Sequence, residues 1–316
     1  MRADGIGDAL ACVPLVAALR AAGHTVGAVL GTANRDVFSA AAVAPVHVLE
    51  RVPWPRHGST PRSRQRALAD ARLESYDVAL VASEEMEAFA FARSARIPRR
   101  VGFVNGFEKP FKTLRVRPLL TTAIRRPASA SRVREHEVET LFRLGAQLTP
   151  EAAPTREVAR LRPLVVDGTP ASHGAVVVQV SRKLASSGLA PAAYAALVTE
   201  LRARGLHAIA TGDDERGVAE VAAAGAEARS GLSLPEWKAL IDGARVLVTP
   251  DSGAAHVAGM LGVPCVDCFA PGAATARDIQ RWRPWAAPYR AIVLDPVRAP
   301  EATGMQLARA AVELFA

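Results

Sequence analysis

The clearest chemical pattern in the chain covers residues 249–258, between two apolar segments that predict β-strands. Asp251 and Ser252 are good helix N-caps, and Gly253 lets backbone N–H groups approach a ligand closely. Unpaired N–H groups and the positive end of a helix dipole both favour an anion, so the loop predicts a phosphate site. His256 lies in the first helical turn, where it can donate to that anion or hold a loop carbonyl. An ordinary capped crossover helix is the alternative interpretation.

A second candidate site lies at the N-terminus, where Gly5 and Gly7 permit a tight turn before a predicted helix. Asp8 stands at the start of that helix, and a carboxylate there can accept a proton from a substrate hydroxyl. Helix capping by Asp8 is the structural alternative. The glycine spacing differs from the dinucleotide-binding fingerprint, which argues against a dehydrogenase.

Alternating strand and helix patterns supply the scaffold for these residues. They predict an α/β fold with doubly wound parallel sheets in two domains, whose ligands bind at the carboxyl ends of the strands, facing a cleft. We predict strands at 25–30, 46–49, 77–82, 100–103, 175–180, 207–211, 246–248 and 265–269, and helices at 9–22, 34–41, 63–73, 86–94, 135–144, 191–204, 215–224, 234–242, 254–261 and 301–315.

Two segments interrupt the alternation. Residues 109–131 are basic, contain prolines and predict irregular structure, whereas 149–174 are rich in proline and charge and predict the interdomain linker. The predicted domains are therefore 1–155 and 156–316. The final helix could pack on either domain.

Composition narrows the functional classes. The net charge of +8 and a pI near 10.1 favour anionic partners such as nucleotides, phosphorylated glycans or the inner membrane surface. No apolar run is long enough to span a membrane and the N-terminus is unlike a signal peptide, so we expect a cytoplasmic protein. Cys265 and Cys268 have the spacing of a redox motif. Residues three apart on a strand point to opposite faces, however, so we do not expect metal or redox chemistry at this pair. No aromatic residues interleave with the arginine clusters, which argues against nucleic acid as a partner.

In the order and spacing of several short motifs, the chain resembles glycosyltransferase family nine, the heptosyltransferase group. Each motif is weak alone, but together they span almost the whole chain. They are Arg2-x-Asp4-Gly5-Ile6-Gly7-Asp8, Arg99-Arg100-Val101-Gly102-Phe103, His136-Glu137-Val138-Glu139 ending at Leu144-Gly145, Gly231-Leu232-Ser233-Leu234, and Asp251-Ser252-Gly253-Ala254-Ala255-His256-Val257-Ala258 with Gly262-Val263-Pro264.

The resemblance implies a GT-B fold, with two Rossmann-like doubly wound domains facing a cleft. It also implies an inverting, metal-independent transferase that moves a heptose or related sugar from a nucleotide diphosphate, such as ADP-heptose, to a lipopolysaccharide-core-type or other glycan acceptor. The expected partners are then a nucleotide sugar and an anionic glycolipid or glycan, without a separate cofactor. Peripheral contact with the inner face of the cytoplasmic membrane is left open.

The resemblance also implies roles for individual residues. Asp8 is similar to the base that deprotonates the acceptor hydroxyl. The other implied positions bind the donor. Ser252 and Gly253 would hold the diphosphate, and Asp251 and His256 would orient the sugar or the loop. Ser181, Arg182 and Lys183 would form a further diphosphate loop, and Asp213 and Glu215 are alternative ligands of the ribose. For Ser181 to Lys183, a solvated turn is the alternative.

A basic cluster in the first domain, in a proline-rich stretch, corresponds to a segment where family members bind acidic groups of the acceptor. It comprises Arg56, His57, Arg62, Arg64 and Arg66. Arginine suits this role because it pairs with phosphate and carboxylate in bidentate fashion. A solvated helix face is an equal alternative.

Two departures of the chain from the family pattern bear on its activity. Family members begin with a full β-strand before the Arg-x-Asp turn, so either the start codon lies further upstream or the domain lacks that strand. The family's lysine in the second domain falls on Gly188, for which Lys183 is a candidate replacement. Two alternatives therefore stay open: transfer of a different sugar, and a degenerate nucleotide-binding or scaffolding protein without transferase activity.

Overall fold

The computed structural model describes residues 1–52, 58–127, 135–171 and 174–315. The chain divides into two compact units, Met1–Thr155 and Arg156–Ala316. In both units the named strands pair only in parallel and helices connect them. This is the α/β architecture that the alternating pattern predicts.

The N-terminal unit contains five strands and six α-helices among its described residues. The strands form two separate sheets, β1-β2 and β3-β4-β5. They are β1 (Ala28–Gly31), β2 (Val46–Leu49), β3 (Val78–Val81), β4 (Arg99–Val104) and β5 (Thr122–Arg125); the helices are α1 (Ile6–Leu10), α2 (Val13–Ala21), α3 (Pro61–Leu73), α4 (Met86–Ser94), α5 (Pro110–Val116) and α6 (Glu137–Phe142).

The first residues of the chain lie between these two sheets. The Met1 ammonium donates to Leu80 O at 2.8 Å, and Arg2 N donates to Val29 O at 3.0 Å. Ser83 N in turn donates to Met1 O at 3.2 Å. Next to this bridge is a cavity of about 590 Å³, lined mostly by the amino ends of β1 and β3 and by α2. The bridge contacts β1 at Val29 and β3 at Leu80, and the residues at the amino ends of both strands, such as Ala28 and Val78, face the cavity.

Three predictions for this unit were wrong. The helix expected at 9–22 is two helices, because Pro14 starts a new one: proline lacks the N–H that a continuous helix needs. The helix expected at 34–41 is only a 3₁₀ turn, Thr32–Asn34, whose Asn34 side chain bonds Arg2 O and Gly5 O at 3.1 and 3.2 Å. The stretch expected to be irregular contains α5, again begun by a proline, and β5.

The C-terminal unit has one continuous sheet of six strands in the order β11-β10-β9-β6-β7-β8. The strands are β6 (Val176–Val180), β7 (Ala208–Gly212), β8 (Glu227–Arg229), β9 (Val246–Pro250), β10 (Cys265–Phe269) and β11 (Tyr289–Val293); the helices are α7 (Val158–Leu161), α8 (Pro191–Ala203), α9 (Glu215–Ala223), α10 (Leu234–Asp242), α11 (Gly253–Leu261), α12 (Thr275–Trp282) and α13 (Pro300–Glu313). The sequence did not predict β8 and β11, which are edge strands with exposed residues, or α12, which buries none of its residues.

The final helix, α13, packs against α8 in the core of the C-terminal unit. Leu197 and Leu201 of α8 and Leu307 of α13 are fully buried in one cluster. A Cβ at Gly304 would lie 2.5 Å from Leu197 N, so the two helices approach too closely for any larger side chain. Much of the expected linker also belongs to this unit, where Arg162 binds Asp242 of α10 with a nitrogen–oxygen distance of 2.9 Å.

No helix in the described part of the chain is long and apolar enough to cross a membrane.

Candidate active site

The predicted phosphate loop lies at the carboxyl end of β9, where α11 begins. Ser252 is the N-cap of α11, and its hydroxyl accepts from Ala254 N at 3.3 Å and lies 3.1 Å from the Thr249 hydroxyl oxygen. Asp251 N donates to Cys268 O at 2.8 Å, which holds the loop to β10. Ala255 N donates to Ser252 O at 3.2 Å, which leaves the N–H of Gly253, at the positive end of α11, for an anionic ligand.

His256 lies in the first turn of α11 and is mostly buried. Its ring packs edge-on against the ring of Trp282, with 5.6 Å between the centroids. The imidazole is therefore held in a fixed orientation beneath the loop. This position suits either of the roles that the sequence suggested.

Lys183 connects the loop after β6 to the loop after β9. Its ammonium donates to the backbone carbonyl of Asp251 and lies 3.3 Å from Asp251 Oδ2, while Lys183 N donates to the Ser181 hydroxyl at 3.2 Å. Half of the lysine side chain remains exposed. The structure thus brings together predicted residues from both loops and places a cation next to the start of α11.

Gly188, where the family pattern has its lysine, adopts a left-handed conformation with φ of 103°. A Cβ there would lie 2.9 Å from Asp295 O. A lysine is therefore excluded at this position by both the backbone conformation and the available space. Lys183 is the lysine that lies at the loop.

The side chain of Arg182 reaches the loop after β7, whereas that of Lys183 reaches the loop after β9. Its guanidinium binds the carboxylate of Asp214 in bidentate fashion, at 2.9 and 3.0 Å. The hydrogen bonds from Arg182 lower the pKa of Asp214. Asp213 and Glu215, the two predicted ribose ligands, are exposed, and their side chains make no hydrogen bond with any described residue. Sequence reasoning missed Asp214, which lies between them and is the residue that links the two loops.

A buried carboxyl group lies below the loop, in the middle of β10. Asp267 is fully buried, and neither of its oxygens has a hydrogen-bond partner within the described ranges. It pairs in register with Thr249, so both side chains leave the same face of the sheet. Burial raises the pKa of Asp267 well above its ordinary value, and Asp251 raises it further while Lys183 opposes the shift. The sequence analysis did not single out this residue.

In the N-terminal unit, Asp8 is the third residue of α1 and does not cap it, since Gly5 is the N-cap and no side chain caps this helix. The Asp8 Oδ1 atom accepts from the Arg2 guanidinium. Its Oδ2 atom lies over Gly5, only 2.8 Å from where a Cβ would be, and has no hydrogen-bond partner among the described residues. The Asp8 side chain is 32% exposed, so the carboxylate is reachable from solvent.

Arg2 and Asp4 complete a charged cluster around Asp8. Burial lowers the pKa of the Arg2 guanidinium, but the carboxylates of Asp8 and Asp4 outweigh it and the net shift is upward. Burial raises the pKa of Asp4, with Arg2 opposing and Asp8 adding to the shift. Arg2 therefore holds the Asp8 carboxylate in place. The close spacing of opposite charges at positions 2, 4 and 8 is the sequence signal that could have indicated this ion pair.

The predicted acceptor arginines do not share one helix face. Arg62 and Arg66 are exposed, one turn apart on α3, and their side chains make no hydrogen bond with described residues. Arg64 points elsewhere and lies 3.6 Å from Glu87. Arg56 and His57 lie outside the described residues.

The sequence also missed a charged network that joins the ends of β3 and β5 to α6. Arg126 and Glu137 form a buried ion pair, with 3.0 Å between nitrogen and oxygen. Glu84 lies 3.6 Å from Arg126 and accepts from Lys112 at 2.9 Å. Burial raises the pKa of Glu84, but Lys112 and Arg126 more than offset it and the net shift is downward. No group of three or more His, Cys, Asp or Glu side chains that could hold a metal occurs in the described segments.

Comparisons with solved structures identify the fold. The E. coli heptosyltransferase WaaC, solved with ADP-2-deoxy-2-fluoro heptose, superimposes with a TM-score of 0.72 at 18% identity, covering 100% of this chain and 98% of that one. The E. coli ADP-heptose lps heptosyltransferase II gives 0.71 at 17% identity, with 100% and 98% covered. A family 9 glycosyl transferase from Veillonella parvula gives 0.71 at 15% identity, with 99% and 95% covered. Searching curated proteins found no match.

The family comparison agrees with these structures. The model for glycosyltransferase family 9 (heptosyltransferase) matches residues 65–307, well over half of the chain. This confirms the resemblance that the short motifs indicate, and the alternative of a protein without transferase activity is not favoured. The chain belongs to glycosyltransferase family 9, the heptosyltransferase family, and is a glycosyltransferase with the GT-B fold.

Proposed function

We propose that this glycosyltransferase moves a heptose or a related sugar from a nucleotide diphosphate donor to an anionic glycan acceptor of the lipopolysaccharide-core type, with inversion and without a metal. This proposal rests on one observation: at the carboxyl ends of β6 and β9, the Lys183 ammonium contacts Asp251, directly before the first residues of α11. The strand order reverses direction at this point, because β7 lies on one side of β6 and β9 on the other. Ligands of open α/β sheets bind at such switch points.

The donor diphosphate fits this place because two independent features favour negative charge. Lys183 supplies an ammonium, and α11 supplies the N–H of Gly253 and its dipole. The Lys183 ammonium presently binds Asp251, so a diphosphate would replace one anionic partner with another. ADP fits as the nucleotide part of the donor, with Asp213 or Glu215 as the ribose ligand.

In the proposed reaction, the acceptor hydroxyl oxygen attacks the anomeric carbon as the carbon–oxygen bond to the diphosphate breaks. Oδ2 of Asp8 accepts the hydroxyl proton, while Arg2 holds the carboxylate through Oδ1. The bonding electrons leave with the nucleoside diphosphate, whose growing negative charge Lys183 and the α11 N-terminus stabilise. These groups can supply the charge stabilisation that a divalent metal provides in other transferases.

The direct test is a transfer assay in EDTA with a panel of nucleotide sugars that includes ADP-heptose, using core-type glycolipids as acceptors. Mass spectrometry identifies the product, and NMR of its anomeric proton gives the stereochemistry. We expect transfer with inversion in the presence of EDTA. Retention of configuration, or transfer only after Mg²⁺ is added, would contradict the mechanism.

For the acceptor we propose Arg62 and Arg66, because they are exposed and unpaired among the described residues, with Arg56 and Arg64 as further candidates. Replacing both Arg62 and Arg66 with Ala should raise the acceptor KM much more than the donor KM. It should also weaken the salt dependence of the acceptor KM, since exposed charges are screened over about 10 Å at 0.1 M salt. Arg72→Ala, further along the same helix, is the matched control.

A further inference from the structure

The segment after β4 in the N-terminal unit exposes apolar side chains in a basic setting. Three side chains are almost fully in solvent: Phe107 is 96% exposed, Phe111 80% and Leu114 71%. Phe111 and Leu114 are three residues apart on α5 and share one face, while Val116, toward the other side, is completely buried. We call Phe107, Phe111 and Leu114 the apolar face of α5.

Hydrogen bonds and an ion pair hold the segment that carries the apolar face of α5 in place. The Thr113 hydroxyl donates to Gly106 O at 3.1 Å, and Lys112 binds Glu84 at 2.9 Å. Arg93 of α4 donates to Pro118 O at 3.0 Å, just beyond the helix. With Val116 as a buried anchor, the exposure of the two phenylalanines is a property of the folded segment and not of a frayed end.

Basic side chains surround the apolar face. Residues 105–118 contain four basic residues and one acidic residue. The side chains of Lys109, Arg115 and Arg117 are exposed and make no hydrogen bond or ion pair with described residues, and exposed Arg125 lies beside Gly106. Exposed aromatic residues rimmed by unpaired cations match the two requirements for an anionic lipid surface, namely apolar insertion and electrostatic attraction.

We propose that the apolar face of α5, with its rim of Lys109, Arg115, Arg117 and Arg125, docks on the surface of an anionic lipid bilayer. Phe107 and Phe111 insert at the level of the headgroups, and the cations pair with lipid phosphates. A protein partner would account for the apolar residues, but charge complementarity over the whole rim favours the bilayer.

Docking here would bring the membrane close to the proposed base. Glu84, the partner of Lys112, follows Ser83, and the Ser83 hydroxyl lies 3.5 Å from Asp4 in the cluster that contains Asp8. A membrane-anchored acceptor would then present its sugar near the carboxylate. This consequence depends on the proposed function, whereas the binding to lipid does not.

The test is co-sedimentation of the full-length protein with vesicles of equal parts phosphatidylcholine and phosphatidylglycerol, without donor or acceptor. Phosphatidylcholine vesicles serve as the neutral comparison. We expect binding to the anionic vesicles, weaker binding to the neutral ones, and a decrease in binding as salt is raised. The double variant Phe107→Ser with Phe111→Ser should lower the partition coefficient by at least about tenfold, and Lys109→Glu with Arg115→Glu by a similar factor.

The matched control is Leu73→Ser with Val297→Ser, which removes two side chains that are 83% and 90% exposed elsewhere on the protein. This control should bind vesicles as the unchanged protein does. The proposal is overturned if the unchanged protein does not bind anionic vesicles, if the phenylalanine variant binds equally well, or if light scattering shows a dimer that the phenylalanine variant converts to a monomer. Because no acceptor is present, failure of sugar transfer would not affect the result.

Discussion

In each of the two units, charged residues lie close to the carboxyl ends of the strands, but the two sets differ in burial. In the N-terminal unit, the sheets are separate and the charges are partly or fully buried, as with Arg2 and Asp8 or Arg126 and Glu137. In the C-terminal unit, the sheet is continuous and the bridging cations are half or more exposed, as with Arg182 and Lys183. Buried pairs fix a side chain in place, whereas exposed pairs can exchange a carboxylate for a ligand phosphate at little cost. The first arrangement suits positioning of a base, and the second suits binding of a diphosphate.

The largest effect should come from the base itself. We expect Asp8→Asn to lower kcat by about 10²- to 10⁴-fold, the usual contribution of general-base catalysis. The affinity for ADP should be almost unchanged, because the proposed diphosphate loops belong to the other unit. Steady-state kinetics and ADP titration on the same preparation measure both quantities. Asp36→Asn, an exposed carboxylate in the same unit, is the control, and near-normal turnover of Asp8→Asn would remove Asp8 from the mechanism.

Removing one partner of the buried ion pair should give the largest loss of stability. Glu137→Ala leaves the Arg126 guanidinium buried without its main partner, which should destabilise the N-terminal unit by about 3–5 kcal/mol. Asp214→Ala removes the partner of exposed Arg182 and a hydrogen-bond acceptor for Gly217 N at the start of α9, and should destabilise the C-terminal unit much less than Glu137→Ala destabilises the N-terminal unit. Denaturant unfolding followed by hydrogen exchange in each unit distinguishes the two. Similar losses for the two variants would contradict the contrast between buried and exposed pairs.

Asp267 should make the C-terminal unit less stable as the pH rises. Burial raises its pKa above the ordinary 3.8, so above that pH the folded state keeps a proton that the unfolded state has lost. Stability then falls with pH by up to about 1.4 kcal/mol per unit, until the raised pKa is passed. Asp267→Asn cannot titrate and should lack this slope. Unfolding free energies of the unchanged protein and of Asp267→Asn at several pH values measure this difference in slope. Asp278→Asn, at an exposed carboxylate, is the control. If the unfolding free energies of the unchanged protein and Asp267→Asn depend on pH in the same way, Asp267 is not the cause.

The smallest effect should be on nucleotide affinity. Lys183→Ala removes one exposed charge-assisted contact to the diphosphate and should weaken ADP binding by about tenfold. Arg204→Ala, which breaks an exposed pair at the C-terminal end of α8, should leave ADP binding unchanged. Calorimetric titration of both variants provides the comparison. Equal effects of the two substitutions would indicate general electrostatics and no specific site.

Regular segments with strong patterns could be predicted from the sequence, and their boundaries agree closely. The helices α4 and α10 and the strands β2 and β10 begin and end where expected, since hydrophobic periodicity and caps define them locally. Edge strands β8 and β11 could not be predicted, because they bury few side chains and have no alternating pattern. The short helix α5 was missed because its apolar residues face outward, the reverse of the usual amphipathic signal.

Candidate site residues were predictable where backbone chemistry decides the position, as at Ser252, whose capping role follows from residue type. Long-range pairs were not predictable. Asp214 could not be distinguished from Asp213 and Glu215, because the choice depends on where Arg182 points. Likewise, nothing local indicates that Arg126 and Glu137 would be buried together, since the pairing depends on how α6 packs.

The central claim is that the loops after β6 and β9 bind a nucleotide diphosphate without a metal. The most direct test is calorimetric titration of ADP into the full-length protein, once in EDTA and once in Mg²⁺. We predict binding with the same affinity and a stoichiometry of one in both buffers. Binding only in Mg²⁺, or no binding of ADP in either buffer, would contradict the account.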